Sequence, residues 1–579
     1  MNKKILLAEV ILAFLVVCAF RFGTAGKKEI TPINFSHLKQ LKAGLISCSP
    51  DWNIINTDSL GQAMKPLPGW GHHAWKIITT QDSAQFYFNQ GVSMYYAFHI
   101  IESMASFKKG LTFEENNPML LWGVALAYGP NINNVEYQAS PEALEAANEA
   151  AKFSAVLGEK EKGLIATMQK RYSADSTVSR TDLNQAYATS MKRLYNRYSG
   201  DEEIATLFAD ALMIQHPWEY WKHNGDPEKW TPEIISVLEK NLVLHPQHPG
   251  SNHYYIHMEE ASSHPERAMA NADRLASMMP LVSHMVHMPS HIYIRTGNYD
   301  KGILVNDMSI KGYETYEKLF PGVKENTFLY LVHNLHLKAA CTLLKPSFKD
   351  AFTAATACKE SFDSAYMSMP APYGSFMQYI YVTPVIAEAR YGKWENILAQ
   401  PVVAPAYPFA HFISLWAKGM AEINTGKNAS AKTTMAEMDV TMQHPDLAIV
   451  MAPYNAPLSI CKVMYAVLKG TVMIKDKNPS GAIQQFRLAV KLEDDLIYNE
   501  PRDWLIPSRH YLADALVKNK QNEKAYPVLL EDIAQNPNNF FALSKLRLFE
   551  KNPTRKKAWE KDFNAAWKTA DLSQPALVY

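Results

Sequence analysis

From Gln81 onward apolar residues recur at spacings of three and four, the period of a helix that buries one face. Ala, Leu, Met, Glu and Lys dominate these stretches, and the alternating Val/Ile/Thr pattern of a half-buried strand is absent from them. Prolines fall between the periodic blocks, as they do at helix ends. The pattern predicts an all-α chain, and a long all-α chain calls for a search for an internal period.

A helix–turn–helix unit of the tetratricopeptide (TPR) type has 34 residues. It carries small residues at unit positions 8 and 20, apolar ones at 11, 24 and 27, and often Pro at 32. Ala513, Leu516, Ala525, Leu529 and Pro537 fit positions 8, 11, 20, 24 and 32. Gly470, Ala482, Phe486 and Ala489 fit 8, 20, 24 and 27, and Gly91, Phe107 and Gly110 fit 8, 24 and 27. In the middle, Ala268, Ala272, Leu275 and Pro280 start one unit at Pro249 and the next at Ser283. After an insertion, Ala339, Ala351 and Ala355 start a third near Val332. The expected fold is a TPR-like helical-repeat solenoid, with a curl around a central cavity as one form; a helical bundle without repeats is the alternative. Residues 26–75, spotted with Pro, Gly and Trp, are expected to wrap the first unit. Repeats are expected over 76–360, irregular helices over 361–460 and further repeats over 461–579.

Across 579 residues, 47% are hydrophobic and 20% charged, with Lys+Arg 58 against Asp+Glu 57. That supplies a large core and excludes a disordered chain or a strongly basic nucleic-acid binder. Five Cys are too few for a disulfide scaffold, and buried apolar thiols are expected. Residues 1–25 read as a signal peptide or N-terminal anchor: Lys3 and Lys4 precede an apolar stretch, and Gly23, Thr24 and Ala25 end it. Cleavage would remove Lys3, Lys4, Arg21 and Glu9 and take the net charge from +1 to −1. The expected location is periplasmic, or anchored to the membrane through the N-terminus alone.

The histidines follow the repeat. His253 and His257 occupy positions 5 and 9 of the unit starting at Pro249. His284, His287 and His291 occupy positions 2, 5 and 9 of the next, and His333 and His336 positions 2 and 5 of the third. Positions three and four apart share one helix face, and adjoining helices pack about 8–10 Å apart. Imidazoles from neighbouring first helices can then converge. Neutral imidazole suits Zn, Cu, Fe and Ni, and seven His exceed one tetrahedral shell. The pattern predicts one or two transition-metal ions, copper, iron or zinc, in the concave face, with Irving–Williams order favouring copper. Glu260, at position 12, is the candidate acid/base group of a metalloenzyme, an oxidoreductase or a hydrolase. Arg295 is the candidate contact for an anionic substrate. The competing expectations are a metal-free scaffold that binds a peptide or small molecule on this face, and a metal carrier without turnover. His72 and His73 are candidates to close the site from the N-terminal wrap, and His510 joins it only if the array curls back. The aromatic cluster HPWEYWKH is a candidate wall, and the YNEPRDW stretch reads as a packing loop. No GxxxxGK[ST], GxGxxG, HExxH or GxSxG motif is present.

Several long runs carry a family likeness. The segments HPWEYWKHNGDPEKWTPEI, HPGSNHYYIHMEEASSHPERAMANADRL and HMVHMPSHIYIRTGNYDKG resemble a widespread group of bacterial TPR proteins. So do HHAWKIITTQDSAQFYFNQGVSMYYAF, LWGVALAYGPNIN, VHNLHLKAA and EPRDW, so that the likeness runs from about His72 to Leu543. It implies a TPR-type helical fold and a histidine pattern on His253, His257, His284, His287, His291, His333 and His336, and it implies no activity. The group often has Asn-His where this chain has His99-Ile100.

Overall fold

The computed structural model describes residues 50–578 apart from 51, 53–54, 134–136, 138–139, 322–323 and 451–454. These residues belong to one compact unit, Ala43–Tyr579. The expected signal or anchor segment, Cys18 and Cys48 lie outside them.

The described chain is all α-helix and connecting loop, a TPR-like helical-repeat solenoid, with a single isolated β-bridge between Trp221 and Pro227. Consecutive helices pack as hairpins, and each hairpin leans on the next. The first is Asp82–Tyr96 (α1) against Ile100–Leu111 (α2). Others are Pro408–Asn424 against Asn428–Thr441 and Pro457–Lys475 against Pro479–Asp494. Polar caps start many of them: Asn117 accepts from Met119 and Leu120 N–H, and Asn539 from Ala542 N–H.

The repeat phase is visible in the packing. A Cβ on Gly91 would lie 2.6 Å from the Phe107 ring, and one on Gly470 2.5 Å from the Phe486 ring. Positions 8 and 24 of two units far apart in the chain thus make the same close contact. Ala268, Ala272, Leu275, Ala339, Ala351, Ala355, Ala513 and Ala525 are fully buried. Cys341, Cys358 and Cys461 are free and buried, as the apolar reading of these thiols expects.

Two further features tie distant parts of the array together. The segment before α1 lies along it: Gln85, Asn89 and Gln90 accept the backbone N–H of Ile77, Trp75 and Leu67. The same segment reaches the middle of the chain, where Tyr316 donates to the Pro68 carbonyl and Leu281 N–H to that of Gly69. The C-terminal units dock on the helices that follow the histidines. Tyr299 donates to the Pro537 carbonyl at 2.7 Å, and Phe540 N–H to that of Leu344 at 3.2 Å.

Replacing a mid-helix glycine by alanine ordinarily stabilises by about 0.5–1 kcal/mol. At Gly91 and Gly123 the added methyl meets Phe107 from two sides, at 2.6 and 2.5 Å. Overpacking of about 1–3 kcal/mol reverses the sign. Gly91→Ala and Gly123→Ala are expected to lower the Tm, and a raised Tm in either would contradict this packing.

Candidate metal centre

Three short helices and one long one position the histidines. Pro249–Glu259 (α3) starts on His248, whose Nδ1 accepts the Ser251 N–H at 3.1 Å. His253 and His257 follow one turn apart on it. Ser283–His287 (α4) and Pro289–Arg295 (α5) meet at Met288. Pro289 has no N–H to continue the hydrogen-bond run, but Met288 keeps helical φ and ψ. His284, His287 and His291 therefore stay on one side of a nearly continuous rod. Tyr299–Leu319 (α6) leads to Lys324–Leu343 (α7), which carries His333 and His336.

Six of the seven imidazoles form two trios. In the first, His253 Nε2 lies 3.0 Å from His257 Nε2 and 3.1 Å from His284 Nε2. In the second, His291 Nε2 lies 2.7 Å from His287 Nε2 and 3.5 Å from His333 Nε2. The trios adjoin: ring centres of His257 and His291 are 6.4 Å apart, and those of His284 and His287 6.2 Å. Each trio takes positions 5 and 9 from one unit and position 2 from the next. His336 opens a third set at position 5, but position 9 there is Ala340. It stands apart from both trios, with its buried ring edge-on to Tyr379 at 5.3 Å.

Hydrogen bonds decide which nitrogen of each ring is free. A neutral imidazole has one N–H. His253 Nδ1 faces the Tyr96 carbonyl at 2.6 Å, which can only accept, so Nδ1 carries the hydrogen. His287 Nδ1 faces Asn306 Oδ1 at 2.6 Å, and Asn306 Nδ2 is committed to the Gly302 carbonyl, which fixes that amide's orientation. His257 and His291 Nδ1 face the two oxygens of Glu260 at 3.1 and 2.7 Å. All four Nε2 atoms therefore carry bare lone pairs, and they point at one another across about 3 Å. No hydrogen bond can join two acceptors. Two nitrogens bound at ~2.0–2.1 Å to one tetrahedral ion sit about 3.3 Å apart, a few tenths of an ångström more than the 3.0 and 2.7 Å between these pairs.

Burial keeps these rings neutral. It pulls His253, His284, His287 and His291 well below the ordinary histidine value, and the neighbouring imidazoles add to the effect. Burial alone brings His257 to about 3, and burial with nearby rings brings His333 to about 4 and His336 to about 3. Aromatic side chains complete the wall of the first trio. The Phe98 ring lies over His253, His257 and His284, and the Trp218 indole meets His257 edge-on at 5.4 Å. Both aromatics hold left-handed backbone, φ 57 and 65, a conformation that costs about 1–3 kcal/mol in a bulky residue.

Glu260 and Arg295, expected as an acid/base group and a substrate contact, frame the site from behind. Arg295 donates to the backbone carbonyls of Glu260 at 2.5 Å and Ser262 at 3.0 Å, tying α5 to the end of α3. The Glu500 carboxyl, from the YNEPRDW loop, meets both His291 Nδ1 and the Glu260 carboxyl. Burial raises both acids, and the hydrogen bond between them raises Glu500 further but lowers Glu260, which leaves Glu260 the acceptor of the pair. Sequence reading took that loop for packing; its contact with His291 comes from outside the repeat and has no periodic signature. Asn306, Tyr96 and Phe98 were likewise silent, whereas Trp218 does stand in the aromatic cluster expected to wall the cavity.

His73, Glu203 and His248 also lie close enough together to suggest an ion. Their hydrogen bonds argue otherwise. Because His248 Nδ1 accepts the Ser251 N–H, its hydrogen is on Nε2, which faces Glu203 at 3.5 Å. Burial works against the charge on His73, but Glu203 at 2.8 Å outweighs it and raises the His73 value. His73 and Glu203 form an ion pair that anchors the N-terminal wrap, while His72 is exposed. His510 sits in its own buried network with Asp532 at 2.8 Å and Arg390 at 3.1 Å, away from the trios.

No protein-family model matches the chain. No curated protein matches it either. Among solved structures it is similar to the human IFIT1 dimer with m7Gppp-AAAA, at 11% identity and TM-score 0.28, covering 92% of this chain and 99% of that one. It is also similar to yeast Tom70, at 12% identity and TM-score 0.25, covering 84% and 89%. A third is the TPR domain of P58(IPK), at 12% identity and TM-score 0.18, covering 60% and 90%. At such identities and scores the likeness says nothing about function.

The buried imidazoles gain protons only when the chain unfolds. Between their folded values and about 6.5 the unfolded state holds more protons, so stability rises with pH and falls on acidification. Metal-free protein is expected to lose Tm steadily from pH 7 to 4. His336→Leu, which removes one such group without touching a trio, is expected to lose less, by on the order of 3 kcal/mol over that range. Equal slopes for the two proteins would refute a buried neutral His336.

Proposed function

We propose that the protein is a metalloenzyme that holds two transition-metal ions, one on His253, His257 and His284 and one on His287, His291 and His333. The observation that carries this reading is the pairing of bare Nε2 lone pairs within each trio, held together by hydrogen bonds on the opposite nitrogens. Such an arrangement is repulsive unless a cation stands between the nitrogens.

The donors narrow the metal. Six neutral imidazoles cancel no charge, and only Glu260 and Glu500 stand by to offset it. Two divalent ions would place four positive charges in a dry chamber, at a large desolvation cost. Two cuprous ions place two. Imidazole also suits copper. Two one-electron metals side by side favour transfer of two electrons, hence an oxidoreductase. The helical array supplies the rigid frame and an extended face on which a peptide or small molecule is presented to the centre. Export, expected from residues 1–25, is part of the same proposal.

Purified protein reconstituted with Cu(I) and counted by native mass spectrometry is expected to carry two ions per chain. His253→Ala and His287→Ala are each expected to carry one tight ion, the double variant none, and His336→Ala two. An oxygen electrode with phenolic and other small reductants reads turnover. A double variant that still binds two ions would sink the assignment and leave the metal-free scaffold.

A further inference from the structure

The two trios do not have independent supports. His253 leans on the Tyr96 carbonyl and His287 on Asn306, each a partner of one ring alone. His257 of the first trio and His291 of the second lean on the same side chain. Glu260 Oε1 takes the His257 Nδ1–H at 3.1 Å, and Oε2 takes that of His291 at 2.7 Å. We infer that Glu260 is a positioning residue that sets the ligand nitrogen at both metal positions at once, rather than a general acid or base for substrate. The inference rests on the two-ion reading above.

The geometry around Glu260 serves this role. The carboxyl is 1% exposed and directed at the two ring nitrogens. Its residue caps the C-terminal end of α3, one turn beyond His257. Its own backbone carbonyl is gripped by Arg295, which projects from the helix that carries His291. The residue that orients His291 is thus clamped by a neighbour of His291, and α3 and α5 are held in one register. A hydrogen-bond acceptor behind each imidazole holds its hydrogen on Nδ1 and its lone pair on Nε2, and loss of such a partner typically weakens metal binding 10–100-fold. Here one carboxylate does this for a ring in each trio, and Glu500 is a second acceptor at His291 alone.

Asn306 provides the contrast, since it backs only the second trio. Cu(I) affinities are read at both positions by competition with a colorimetric chelator, with native mass spectrometry counting the ions. Asn306→Ala is expected to weaken one ion by about 10–100-fold and leave the other unchanged. Glu260→Leu is expected to weaken both by about that factor, and Glu260→Asp, which keeps two acceptor oxygens, to recover part of each. If the Leu variant does not fold, Glu260→Ala, which also removes both acceptor oxygens, is read in its place. A Glu260 variant that weakens one ion or neither overturns the inference, as does a wild type with three ions of which Glu260→Leu loses one, for then the carboxylate is itself a ligand. A wild type that never holds two ions defeats the two-ion reading instead.

Discussion

A neutral imidazole has a single N–H, and the centre depends on where that hydrogen sits. With Tyr96, Asn306 and Glu260 holding it on Nδ1, four rings are left with bare Nε2 atoms facing inward. His248 shows the reverse case a few residues away. There a backbone N–H takes the Nδ1 lone pair, the hydrogen moves to Nε2, and the ring becomes a structural hydrogen-bonder. The difference between a bare inward-facing nitrogen and a strut is one hydrogen bond on the far side of the ring.

Keeping these rings dry has its own cost. The site gathers six uncharged imidazoles, two acids with raised values and two aromatics in left-handed backbone, each unfavourable by itself. Such a concentration survives because the surrounding array over-determines it. Strap, hairpins and C-terminal units all bear on the same helices, and their buried apolar contacts carry the fold. The strain is local and the stabilisation is spread over the whole body.

Much of this was legible in the sequence because repetition writes the same geometry twice. A period set by Ala, Leu and Pro placed His253 and His287, then His257 and His291, at matching positions, and the third rings, His284 and His333, keep the same unit position across the insertion. The same logic explains His336, which has the position but finds Ala340 where its partner should stand. What periodicity cannot carry is contact between distant, non-repeating parts. Glu500 lies in an irregular loop and reaches His291 only because the C-terminal units fold back. Phe98 and Trp218 depend on backbone angles that no spacing encodes. Glu260 was picked out by its helix face, but its two-sided hydrogen bonding follows from the crossing of α3 and α5, a tertiary fact.

The position of Glu500 also sets an order of events during synthesis. The carboxyl that backs His291 follows it by 209 residues, and the last ring-bearing helix, α7, is made well before it. All six imidazoles of the trios therefore exist in the growing chain before the acid behind His291 does. A chain stopped before Glu500 carries every ring of both trios but lacks one of the two acids behind them.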